Sequence, residues 1–109
     1  MDDIDLILKE KPTLRDYQEY IRKIIKIRGF EKETIPELFM MLCEEVGEMA
    51  KAARKFTNIK NDENSRKPDL ALEIADVFEY LLDICNHFDI DLEKAFRDKE
   101  EINKKRTWK

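Results

Sequence analysis

Two short acidic segments carry the side chains best able to do chemistry: Glu44-Glu45-Val46-Gly47-Glu48 and, downstream, Glu73-Ile74-Ala75-Asp76. In a helix, positions three apart lie roughly 60° apart around the axis. Glu45 with Glu48, and Glu73 with Asp76, therefore each present two carboxylates from one face. Two such helices packed side by side would gather four carboxylates, with Glu44 able to join because it shares a face with Glu48. Like charges that close need a counter-charge, and hard oxygen ligands suit Mg²⁺ or Mn²⁺. The pattern predicts a divalent-metal site. For Glu45 and Glu48 alone, the plain alternative is a solvated acidic face. The same spacing at Glu73 and Asp76, set among apolar neighbours, favours metal.

The elements that must hold these acids are helices. The chain of 109 residues has 42% charged residues, 42% hydrophobic residues, 2 Gly and 3 Pro, a composition that favours long solvated helices over a turn-rich sheet protein and predicts one all-α domain. Residues 1–12 hold the apolar cluster Ile4, Leu6, Ile7 and Leu8 ahead of Lys11-Pro12, and read as an arm or a short helix, suited to packing on a neighbouring subunit. The helical domain spans residues 13–109. Thr13 with Asp16 resembles a capping box, Leu14, Tyr17, Ile21, Ile24 and Ile25 recur at helical spacing, and Gly29 is a suitable stop, so the first helix ends near Arg28.

Thr34-Ile35-Pro36-Glu37 opens a second helix with Leu38, Leu42, Val46, Met49, Ala53 and Phe56 on one stripe. Gly47 is anomalous there, because glycine inside a helix costs about 1 kcal/mol relative to alanine. A close helix approach at that turn is the expectation. A polar connection covers Asn58 to Lys67, and Pro68-Asp69 opens a third helix with Leu70, Ile74, Val77, Phe78, Leu81, Ile84, Cys85 and Phe88 as its buried side. Asp89 or Asp91 caps a fourth helix with Leu92, Ala95, Phe96 and Ile102 as its apolar positions. Lys99, Asn103 and Arg106 continue the line of Leu92 and Phe96; polar groups on an inward line need partners, and phosphate would serve.

Other functions are disfavoured. With 21 basic against 25 acidic residues, a formal charge of −4 and no basic stripe before Lys104-Lys105-Arg106, a nucleic-acid polymer is not an expected partner. Cys43 and Cys85 cannot form a disulfide framework or a zinc site, and core or interface packing is their expected role. Met1-Asp2-Asp3 is acidic where a secretory signal would be basic, and no apolar run reaches membrane-spanning length, so a cytoplasmic location without membrane partners is expected. His87 lies about 16 Å along its helix from Asp76, too far to share a metal, and suits the helix C-terminus. A single histidine also removes the di-iron reading, which wants two Glu-x-x-His motifs. Tyr80, one turn beyond Asp76, reads equally as core or as a stacking surface for a base.

Glu45-Val46-Gly47-Glu48-Met49, then Glu73-Ile74-Ala75-Asp76-Val77 and Tyr80, then Lys99, Asn103 and Arg106 resemble the MazG-like all-α nucleoside triphosphate pyrophosphohydrolases, over about Leu38 to Arg106. The resemblance implies a four-helix-bundle-like fold, assembly into dimers or dimers of dimers, and Mg²⁺-dependent hydrolysis of a (deoxy)nucleoside triphosphate to the monophosphate and pyrophosphate. It implies that Glu45, Glu48, Glu73 and Asp76 hold Mg²⁺, with Mn²⁺ as a substitute, that Tyr80, Lys99, Asn103 and Arg106 meet substrate, and that Glu44 or Glu48 is the base. Met49-Ala50-Lys51-Ala52-Ala53-Arg54-Lys55 lacks the tryptophan that dCTP-hydrolysing relatives use, so pyrimidine specificity does not carry over. Two rivals stand beside this reading: a phosphoribosyl-ATP pyrophosphohydrolase-like enzyme, and a non-enzymatic helical oligomer whose acids are only solvated.

Overall fold

A computed structural model describes residues 6–56 and 67–106. Ile4, the polar connection from Asn58 up to Lys67, and the side chain of Phe56 lie outside the described set. The described residues form four helices and no strand: α1 (Leu14–Ile27), α2 (Ile35–Phe56), α3 (Lys67–His87) and α4 (Leu92–Lys104).

Local side-chain chemistry sets most of the helix ends. Thr13 and Asp16 close a reciprocal capping box at the start of α1. Thr34 and Glu37 repeat it at α2, with the Thr34 N–H donating to the Glu37 carboxylate at 2.8 Å and the Glu37 N–H donating to the Thr34 hydroxyl at 3.3 Å. Both pairs satisfy amide donors that a helix start leaves without partners. Gly29 takes a positive φ of 79° just beyond the Arg28 C-cap, a conformation that glycine adopts without a Cβ penalty. Between the two candidate caps of α4, Asp91 is the cap, accepting from the Lys94 N–H. Asp89 instead supplies the turn, with φ 54°.

α3 is the central element, packed against both α2 and α1, while α4 packs against α1. Ile21, Ile24 and Leu82 form the buried cluster, joined by Tyr17, Phe78 and Leu92 at its edge. Tyr17 and Phe78 meet edge to face at 5.2 Å. Leu6 of the arm packs on this same cluster, and Lys9 pairs with Asp16 at 3.1 Å, so the described arm docks on its own chain.

The buried line of α3 differs from its expected side. Leu82 is fully buried, and Asp83, Cys85 and Asn86 are buried with it, whereas Ile74, Leu81 and Phe88 are 49%, 43% and 50% exposed. The apolar arc of α3 is broad beside its line of acids at Asp69, Glu73, Asp76 and Asp83, so periodicity alone does not choose which edge turns inward; contact with α1 and α2 does. Exposed Val46 likewise interrupts the expected α2 stripe, and Phe96 and Ile102 on α4 are exposed. Cys43 is exposed, contrary to core packing, while Cys85 is buried as expected.

Gln18 explains how the α3–α4 corner is held. Its amide nitrogen donates to Asn86 Oδ1 at 3.0 Å and to the Ile90 carbonyl at 2.9 Å, and its amide oxygen accepts from the Leu92 N–H at 3.0 Å. Asn86 Nδ2 donates back to the Gln18 carbonyl at 2.9 Å. Arg15 reaches Asp91 at 3.0 Å beside this network. Buried amides matched in this way avoid the cost of unpaired donors and fix the direction in which α4 leaves α3.

Candidate functional site

The acids converge where α2 lies along α3. One carboxylate oxygen each from Glu45 on α2 and from Glu73 and Asp76 on α3 lie within 4.8 Å of one another. Three of the four expected ligands therefore come together. Glu48 and Glu44 are exposed and stand outside that group of atoms, yet both charges reach the Glu45 carboxyl. Burial pushes the Glu45 carboxyl above the ordinary carboxylate range, and the neighbouring charges of Asp76, Glu73, Glu48 and Glu44 push in the same direction. A cation among these oxygens would reverse that cost. The donor set is entirely carboxylate oxygen, the chemistry of a hard divalent ion, so the residues present fit Mg²⁺ or Mn²⁺.

Beside the acids opens a cavity of about 220 Å³. Its apolar wall comes from Ile21, Ile24 and Ile25 of α1, Phe30 of the α1–α2 corner, and Met41 of α2. Tyr80 lines the same space, its hydroxyl donating to Met41 Sδ at 3.8 Å. The phenol is held above its ordinary pKa by burial first and then by the charges of Glu33, Glu45, Asp76 and Asp83, so it stays protonated as a donor. Tyr80 is thus partly packed and also lines the cavity.

Three further acids line this space: Glu33, Glu79 and Asp83. Burial raises the carboxyls of Glu79 and Asp83 above the ordinary range; Asp76 adds to the effect at Glu79, while Arg28 opposes it. Asp83 is buried and pairs with His87 Nε2 at 3.5 Å, an interaction that draws its pKa down against burial. The histidine at the end of α3 therefore has a local carboxylate partner in addition to its place at the helix terminus. For Glu79 and Asp83 the signal was present in the sequence as acids three and seven residues after Asp76, on the side of α3 that carries Tyr80.

Lys99, Asn103 and Arg106 do not line the cavity within one chain. The Gln18 network ties the start of α4 to α1, the helix that α4 packs against. Asn103 carries a buried Oδ1 with no hydrogen-bond partner among the described residues.

Gly47 also departs from expectation. A Cβ placed there meets nothing within 4 Å, so no close approach of α3 requires this glycine within the chain. Neither protein-family models nor curated proteins match the chain.

Proposed function

We propose that this protein is a MazG-like, Mg²⁺-dependent nucleoside triphosphate pyrophosphohydrolase that converts a (d)NTP to a (d)NMP and pyrophosphate in nucleotide-pool housekeeping. The observation carrying this reading is the convergence of Glu45, Glu73 and Asp76 at the edge of a cavity walled by isoleucines, Phe30, Met41 and Tyr80. An acidic cluster next to an apolar recess suits a ligand with a charged end and a flat apolar end. Glu45, Glu73 and Asp76 would hold the ion. When bound, Mg²⁺ would neutralise anhydride phosphates and make an attacking water more acidic. Tyr80 offers its hydroxyl and ring face to the ligand, while Glu44 or Glu48, both exposed beside the cluster, would accept the proton from water.

The active form is proposed to be a homo-oligomer. Ile74 and Leu81, spaced by seven on α3, Phe88 just past its end, and Phe39 and Val46, spaced by seven on α2, are all exposed large apolar side chains. Such seams match the pairing of helices between copies. The proposed roles of Lys99, Asn103 and Arg106 at phosphate or sugar then require a second copy to bring α4 to the cavity.

Screening the (deoxy)nucleoside triphosphates and phosphoribosyl-ATP with pyrophosphate detection tests the reaction. Pyrophosphate release from at least one nucleoside triphosphate, lost in Glu73→Gln with helicity retained, is the expected result. Release from phosphoribosyl-ATP alone selects the rival hydrolase. Absence of turnover with both Mg²⁺ and Mn²⁺ refutes the enzyme reading.

A further inference from the structure

Among the described residues lining the cavity, Arg28 is the one arginine or lysine, and its guanidinium is uncommitted. Its backbone is fixed, because Arg28 caps α1 and its N–H donates to the Ile24 carbonyl at 2.8 Å. The other two arginines of α1 are occupied: Arg15 bonds Asp91 at 3.0 Å and Arg22 bonds Asn86 at 3.3 Å. Arg28 makes no side-chain hydrogen bond or ion pair among the described residues, although Glu33, Glu45, Asp76, Glu79 and Asp83 line the same space. Its charge nevertheless acts on Glu79, which also feels Asp76, so its field reaches toward the acidic end.

An unpaired guanidinium has its full fork of donors available, and that fork matches two oxygens of a phosphate group. The surrounding carboxylates oppose an anion until a divalent cation compensates them. A single phosphate is satisfied at the cation alone. A chain of phosphates can face the cation with one group and the guanidinium with another.

We infer that Arg28 is a phosphate-binding residue of this cavity, selecting linked phosphates over a single phosphate once a divalent ion is held by Glu45, Glu73 and Asp76. The inference rests on the metal-dependent phosphate chemistry proposed above and assigns to it a residue that meets the phosphate chain. It assigns the role within one chain, where Lys99, Asn103 and Arg106 do not line the cavity.

The experiment uses base-free probes, so that contact with phosphate is separated from contact with a base. Inorganic triphosphate and inorganic monophosphate are titrated calorimetrically into the full-length protein with saturating Mg²⁺, for wild type, Arg28→Met and Arg28→Lys. Mn²⁺ binding without phosphate is followed by electron paramagnetic resonance, and helicity by circular dichroism. Arg28→Met should weaken triphosphate binding about tenfold or more, the scale of a charge-assisted contact. Monophosphate binding should be unchanged, Mn²⁺ binding unchanged or tighter, and Arg28→Lys intermediate for triphosphate. Triphosphate affinity within twofold of wild type in Arg28→Met overturns the inference alone. Failure of the wild type to bind triphosphate overturns this inference, while pyrophosphate release from a nucleoside triphosphate decides the reaction independently. Arg28-dependent triphosphate binding without nucleotide turnover supports the inference and refutes the reaction. Should Arg28→Met lose helicity, Arg28→Lys decides, and wild-type affinity in that variant overturns the forked contact.

Discussion

Replacing Glu45 with glutamine should move two properties in opposite directions, which separates a metal site from an ordinary acidic surface. With carboxylate oxygens within 4.8 Å, each pair of full charges repels by about 1 kcal/mol in a water-like dielectric and about 3.5 kcal/mol at an effective dielectric of 20. The site opens to a solvent-accessible cavity, so the lower value is the better guide. Relief from both Glu73 and Asp76 should stabilise the metal-free protein by about 1–2 kcal/mol, a rise in Tm of several degrees for a domain of this size. The same substitution removes a ligand charge and should weaken Mn²⁺ or Mg²⁺ binding at least tenfold. The pH dependence has a definite sign. Because the folded-state carboxyls of Glu45, Glu79 and Asp83 are raised, their contribution to stability is present below the ordinary carboxylate range and is lost as pH rises through the folded values. The metal-free wild type should therefore melt lower at pH 7 than near pH 5, and Glu45→Gln should flatten part of that slope. Added Mg²⁺ should raise wild-type Tm more at pH 7 than at pH 5. Scanning calorimetry with and without metal, paired with metal titration, measures all of these. A Glu45→Gln protein that melts lower than wild type without metal and binds Mn²⁺ normally would refute the clustered-charge account.

Gln18→Ala should lower stability by about 2–4 kcal/mol, because it removes three side-chain hydrogen bonds and leaves Asn86 without one of its partners; urea unfolding giving a change under 1 kcal/mol would show that water replaces the network. Gly47→Ala should stabilise α2 by about 0.5–1 kcal/mol, since the added methyl meets open space and only helix propensity changes. A loss of stability or of oligomer in that variant would mean that a second copy approaches this turn. Light scattering at micromolar concentration should show at least a dimer, and Leu81→Arg on the exposed α3 seam should dissociate it while preserving helicity. A monomeric wild type would remove the oligomer from the proposal.

The helix boundaries and the all-α class were legible in the sequence because their causes are local. Thr13 with Asp16 and Thr34 with Glu37 act over three residues, and Gly29 acts through its own φ, so a reader needs no distant partner to locate α1 and the start of α2. The pairing of Glu45 with Glu73 and Asp76 was also foreseeable, since carboxylates three apart share a helix face and a short chain places consecutive helices side by side. Which acid stands apart was not. The rotation of α2 against α3 brings Glu45 inward and leaves Glu48 exposed, and rotation is chosen by side-chain packing between the helices. The same cause put Leu82 into the core in place of Leu81, on a helix whose apolar arc is broad. Polar core residues mark the other limit. Gln18, Asp83 and Asn86 read as ordinary surface residues until their partners are in place, because burial of a polar group is favourable only when a distant segment supplies the matching donor or acceptor. Tertiary structure alone decided that α4 packs against α1, that Lys99, Asn103 and Arg106 are not among the residues lining the cavity, and that Arg28 is. The direction of α4 depends on the Gln18–Asn86–Leu92 contacts across 68 and 74 residues of chain, a separation at which side-chain periodicity carries no information.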